Sequence, residues 1–235
     1  MLARWGKIEI WLGAVTLILL GAGLWLAMTA PADFQQGYSV RILYVHVPSA
    51  KMALLSYLFL TGCSIVVLWK KSETADVLAQ ASVSVGAAFS VVTLASGAIW
   101  GKPMWGVWWA WDARLTSMLV LLIIYVGLMG LRSALDPGKA AKATAVMAII
   151  GAVDLPIIHY SVTMWRTLHQ PASFSKTAGI SIAGPLLIPL VVMAVAFICL
   201  GAYMVLVKAR AIEYERRIEA LELAEEMGHE EMHHG

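Results

Sequence analysis

Residues 100–131 read WGKPMWGVWWAWDARLTSMLVLLIIYVGLMGL, and two unlike halves meet at Asp112. Ala113–Leu131 is apolar and long enough to cross a hydrocarbon core of about 30 Å as a helix. In lipid only a helix or a closed barrel satisfies its own backbone. Trp100–Asp112 is a connection that holds half of the chain's ten tryptophans: Trp100, Trp105, Trp108, Trp109 and Trp111. An aromatic belt places scattered tryptophans at helix ends. This density suits a surface for a flat, π-rich, largely apolar ligand instead.

The rest of the chain agrees with the second half of that stretch. It has 235 residues, of which 60% are hydrophobic and 14% charged, with mean hydropathy +0.77. A soluble domain carries far more charge, so the fold class is all-α and polytopic. Spans are predicted at Ile10–Met28, Ser49–Trp69, Ala81–Ile99, Ala113–Leu131, Lys142–Ser161 and Ala183–Val207. They form a six-span membrane domain over residues 1–207, followed by a helical tail over 208–235. Arg4 and Lys7 precede the first span as they would in a signal peptide, but an uncleaved span fits its length better.

Positive charge orients the bundle. Arg4, Lys7, Lys70, Lys71, Arg132, Lys139, Lys142, Lys208, Arg210, Arg216 and Arg217 lie on one side. Arg41, Lys51, Lys102, Arg114, Arg166 and Lys176 lie on the other. Both termini are therefore expected in the cytoplasm, and the connections 30–48, 100–112 and 162–182 in the periplasm. The tail holds eight of the fifteen acids, all glutamates, with Glu213 and Arg217 paired at i,i+4. Its His229, His233 and His234 read as a frayed end rather than a metal site. Cys63 and Cys199 form no CxxC and read as small helix residues. No basic nucleic-acid surface is present.

The connections carry the chemistry. Trp105, Trp108, Trp109 and Asp112 share a face if 105–112 is helical, and Trp105, Trp109 and Trp111 do if it is extended. Gly101 and Gly106 allow close approach of a ligand. Asp112 is placed to cap the fourth span, with a ligand-facing role open beside it. Arg114 suits a carboxylate or an interfacial anchor. In RILYVHVP, Pro48 suits the first turn of the second span and puts His46 at its outer mouth. In WRTLHQP, His169 falls in a loop before Pro171. Histidines above and below a planar macrocycle are a sensible arrangement for haem iron. His159 reads as a packed helix residue. Asp154, an intramembrane carboxylate beside the helix-breaking Pro156, is a functional candidate.

WGVWWAWDARLTS resembles the WWD motif of haem-handling proteins of cytochrome c biogenesis. With RILYVHVPSA, VDLPIIHYSVTMWRTLHQ and the six-span layout, the chain resembles the CcmC family over nearly its whole length before the tail. It departs at Met164, where the family often has tryptophan. The resemblance implies that His46 and His169 are axial ligands of haem b, with Trp100, Trp105, Trp108, Trp109, Trp111 and Asp112 around the ring. It implies that Arg41 and Arg114 meet the propionates or support the carrier. It further implies a site of the bacterial inner membrane facing the periplasm. There haem is presented to the chaperone CcmE, beside CcmA and CcmB of an ABC transporter and the small subunit CcmD. The chain has no Ser/His/Asp or Cys/His arrangement and no phosphate loop, so it reads as no enzyme, with ATP hydrolysis left to a partner. Two other readings stand: a haem lyase acting directly on apocytochrome c, whose relatives need more spans, and a transporter coupled through Asp154.

Overall fold

The computed structural model describes residues 2–165, 169, 174–175, 179–180, 182 and 184–234. Arg166, Gln170, Pro171 and Lys176 lie outside them. The order is α1 (Leu2–Thr29), a 3-10 turn (Tyr38–Ile42), α2 (Leu43–Lys70), α3 (Glu73–Trp105) and α4 (Ala113–Ser133). Then come α5 (Pro137–Gly151), α6 (Asp154–Met164), a two-stranded hairpin of β1 (Phe174–Ser175) and β2 (Gly179–Ile180), and α7 (Gly184–His234). Among the described residues, six helical stretches are long and apolar enough to cross a membrane: 6–29, 38–70, 73–105, 113–133, 137–164 and 184–227. The protein is an all-α polytopic membrane protein.

Helices α2 and α3 pack along each other and against α7, while α1 leans on α7 alone among its close neighbours. Small residues allow that approach. A side chain at Gly13 would meet the Tyr203 ring at 3.1 Å, and one at Gly23 the Met193 sulfur at 2.5 Å. Two tyrosines lock the centre. The Tyr57 hydroxyl fills the space over Gly151, and the Tyr125 hydroxyl the space over Gly86. Their rings meet edge to face at 5.1 Å, and Tyr125 donates to the Ala53 carbonyl at 2.8 Å.

At the tail side, Asp76 accepts two hydrogen bonds from Arg132, at 2.5 and 2.6 Å, and one from Arg216 at 2.6 Å. That ties α3, α4 and α7 together. Glu9 pairs with Arg210 between α1 and α7. Helix α7 runs without a break from the bundle into the tail.

Three local expectations change. Pro48 lies in the second turn of α2, not the first, because the helix is seeded earlier by the 3-10 turn. Proline so near an N-terminus removes only one ladder bond. Helix α3 runs on through Pro103 to Trp105, so only Gly106–Asp112 of the tryptophan stretch is non-helical. The fifth span is two helices. Pro156 has no N–H for the Ala152 carbonyl, which accepts from Leu155 at 3.1 Å instead. The chain tightens over 151–155 and restarts at Asp154.

Candidate functional site

The motif side of the bundle, the end where α3 gives way to α4, is built on the last turns of α3. Thr93, Ser96, Gly97 and Trp100 recur at three- and four-residue spacing and so share a face. That face meets α2 at His46. The His46 imidazole is half-buried, with Nδ1 3.1 Å from the Thr93 carbonyl and 3.1 Å from Ser96 Oγ. A carbonyl only accepts, so Nδ1 carries the proton and Nε2 keeps its lone pair. The Ser96 hydroxyl donates to the Val92 carbonyl at 2.6 Å, which leaves its lone pairs for His46. Gly97 makes the room: a Cβ there would stand 2.9 Å from His46 Cε1. His46 thus stands inside the first turn of α2 against α3, not at an open helix mouth.

Trp100 closes the other side of His46, edge to face at 5.6 Å. Its Nε1 donates to Gln36 Oε1 at 3.0 Å. A turn before the 3-10 helix sets Gln36 in place. Asp33 Oδ1 accepts from the backbone of Gln35 and Gln36, both at 2.9 Å. Gly37 closes that turn at φ 56°, in the left-handed region that suits glycine.

Helix α3 ends at Gly106, φ 77°, whose N–H bonds the Lys102 carbonyl at 3.0 Å. The Lys102 ammonium reaches the Gly106 carbonyl at 3.0 Å. Trp105, on the last helical residue, packs on the His169 ring at 5.1 Å between centroids. Trp109 and Trp111 meet edge to face at 5.4 Å. Trp108 and Trp111 are the open members, 58% and 79% exposed. The indoles therefore do not form one flush wall. Trp100 packs on His46, Trp105 on His169, and Trp108 and Trp111 continue outward.

Asp112 takes the capping role and also contacts a histidine. Oδ1 caps α4 by accepting from Leu115 N–H at 2.8 Å, and Oδ2 lies 3.3 Å from His169 Nδ1. Burial, the stronger effect, holds the His169 pKa below its ordinary 6.5, against the opposing pull of Asp112. That shift favours the neutral imidazole, the form that binds metal.

The arginines are already engaged. Arg41 donates to the Ala30 carbonyl at 2.9 Å and lies over the Tyr38 ring, with its Nε buried and unpartnered among the described residues. Arg114 reaches Ser161 Oγ at 3.2 Å and the carbonyls of Ile158 and His159 at 3.4 Å, fastening α6 to α4. His159 packs edge to face on Tyr160 at 4.7 Å. Asp154 Oδ2 and the Tyr57 hydroxyl are buried without a hydrogen-bond partner among the described residues.

The donor set fits a macrocycle better than a bare ion. Among the described residues no group of three or more His, Cys, Asp or Glu converges on one point. Instead two imidazoles stand beside indoles, and the buried donors Trp109 Nε1 and Arg41 Nε have no acceptor among the described residues.

The family model described as heme exporter protein C, CcmC, matches residues 1–224. This chain belongs to that family. It is 44% identical over 223 residues to heme exporter protein C of Bradyrhizobium diazoefficiens, covering 94% of this chain and 85% of that one. The Haemophilus influenzae protein of the same name is 44% identical over 207 residues, 87% and 84% of the two chains. That of Escherichia coli K12 is 45% identical over 162 residues, 68% and 66% of the two chains.

Within this CcmC chain, sequence reasoning missed Gln36, Thr93, Ser96, Gly97 and Ser161. The first touches Trp100, the next three lie behind His46, and the last holds Arg114. The spacing of Thr93, Ser96, Gly97 and Trp100 was the available signal for the face behind His46. Gln36 gave none, because its role depends on a turn and a contact across the sequence.

Proposed function

We propose that this protein holds haem b as cargo at its motif side, with His46 and His169 as axial ligands, and presents it to the chaperone CcmE during cytochrome c maturation. One observation carries the reading. Two histidines from separate elements each have Nδ1 tied to an acceptor and a ring packed on an indole. Fixing Nδ1 in this way selects the tautomer in which Nε2 meets iron. Haem supplies the iron and the reactive vinyl group, and the chain supplies the hold.

Trp100, Trp105, Trp108, Trp109 and Trp111 cover the ring. Arg41 and Arg114 provide cations for the propionates, and Asp112 orients His169. The exposed edge at Trp108 and Trp111 is where the chaperone reaches the cargo. The bias of basic residues supports a tail side in the cytoplasm and a motif side in the periplasm of a bacterial inner membrane. CcmA, CcmB and CcmD complete an ABC-type complex, and ATP hydrolysis belongs to that complex. The chain divides at about residue 207 into a membrane domain and a tail.

The purified protein should show a haem Soret band that weakens in both His46→Ala and His169→Ala. An unchanged haem load in both variants overturns the ligand assignment. A reporter fused after Gly235 should be active in the cytoplasm, and periplasmic activity overturns the orientation.

A further inference from the structure

The two histidines have unequal groups behind them, and that inequality bears on how cargo leaves. His46 Nδ1–H is shared between a neutral carbonyl, Thr93, and a neutral hydroxyl, Ser96. His169 Nδ1–H faces a carboxylate, Asp112. A hydrogen bond to a charged acceptor is roughly twice as strong as one to a neutral acceptor. A carboxylate behind an imidazole also raises the basicity of its other nitrogen toward a metal. Position adds to this. His46 stands in the first turn of α2, boxed by Gly97 and Trp100, which leaves its ring little room to follow a departing ligand.

We infer that His46 is the weaker axial ligand and the first to release iron, with Ser96 as the positioning residue that keeps it weak and Asp112 as the one that keeps His169 strong. This rests on the reading of both histidines as ligands. On release, the Fe–Nε2 bond of His46 breaks, the electron pair stays on the imidazole, and an incoming donor from the acceptor takes the vacated position. Iron keeps its oxidation state throughout.

Carbon monoxide added to the dithionite-reduced, haem-loaded protein imitates that incoming donor, since it binds only by displacing one histidine. The wild-type adduct should match that of His46→Ala in its Fe–CO stretching frequency. A match to His169→Ala reverses the order and overturns the inference. Soret bands identical to wild type in both variants before carbon monoxide is added would instead defeat the ligand reading itself.

Variants that keep both histidines give a second route should either alanine variant lose haem altogether. Asp112→Asn, which still caps α4, should shift the Fe–CO stretch of the adduct, and Ser96→Ala should leave it in place. The opposite pattern overturns the inference. Ser96→Asp puts a carboxylate behind His46 and should weaken carbon monoxide binding about 10-fold or more, since changing a ligand's hydrogen-bond partner alters metal affinity by about 10–100-fold. Unchanged binding in Ser96→Asp would overturn the role given to Ser96.

Discussion

Asp112 faces His169 at 3.3 Å with one carboxylate oxygen while the other holds the first turn of α4 through Leu115. One side chain thus sets where a membrane helix begins and how an imidazole in another connection is turned. The two duties separate by substitution. Asparagine is as good an N-cap as aspartate, whereas alanine costs about 1 kcal/mol at such a position. Asp112→Asn should keep the melting temperature of the haem-free protein and lower haem retention about 10-fold. Asp112→Ala should lower both. A thermal melt in detergent paired with a pyridine haemochrome assay reads the two effects. Equal haem retention in Asp112→Asn and wild type would remove Asp112 from the site.

Gly97 is predicted to be intolerant for a reason local to His46. An alanine methyl would stand 2.9 Å from Cε1 and 3.4 Å from Nδ1. The ring would have to swing off the Thr93 carbonyl, losing its tautomer control. Gly97→Ala should lose much of the Soret intensity while the protein still accumulates in the membrane. Gly62→Ala is the matched control, since nothing lies within 4 Å of its added methyl. Equal haem loads in the two variants would contradict this.

What could be read from sequence divides along physical lines. The spans follow from composition and length alone, because lipid enforces helices. The tryptophan stretch and the two histidines stood out by residue type, and Asp112 by its place before an apolar run. The start of α2 was less legible: Pro48 looked like a first-turn proline, yet the 3-10 turn at 38–42 extends the helix backward. The group behind His46 was harder still, since it combines a carbonyl, a serine and an absent side chain, contributed across 47 or more positions. The Asp76–Arg132–Arg216 cluster joins three helices by contacts that no local pattern announces.

His169 gives a pH dependence of definite sign. Burial depresses its pKa from 6.5 in the folded protein. The unfolded chain therefore takes up a proton that the folded chain resists. The contribution to stability is complete above about pH 6.5 and is lost as pH falls through the folded value. The melting temperature of haem-free protein should fall from pH 7.5 to 5.5, and fall less in His169→Gln. Parallel profiles for the two proteins would show that His169 is not the group responsible.

On the tail side, Asp76 neutralises two guanidiniums at once. Removing one partner of a buried pair costs about 3–5 kcal/mol, because the remaining charge is stranded. Asp76→Ala strands the largely buried Arg132, while Arg216, 36% exposed, is partly screened by water. The Asp76→Ala variant should lower the melting temperature more than Arg216→Ala does, and it should speed tryptic cleavage after Arg216 and Arg217 by releasing α7 from α3. Wild-type cleavage rates in Asp76→Ala would mean that the tail is held by other contacts.

Gly151 and Tyr57 should behave as a coupled pair. The Tyr57 hydroxyl occupies the space that a side chain at Gly151 would need, and it is buried without a partner among the described residues. Gly151→Ala overpacks this point beside the break in the fifth span and should cost about 1–3 kcal/mol. Tyr57→Phe removes an unpaired buried hydroxyl and should be close to neutral by itself. In the double variant the clash with the hydroxyl is gone, and the methyl faces Ile124 at 2.9 Å and the ring carbon at 3.3 Å. Much of the loss should be recovered, giving a coupling energy of about 1 kcal/mol in a double-mutant cycle. Strict additivity would instead place the cost of Gly151→Ala on Ile124 and the backbone of the break, and would leave the tyrosine hydroxyl without a part in holding α5 against α2.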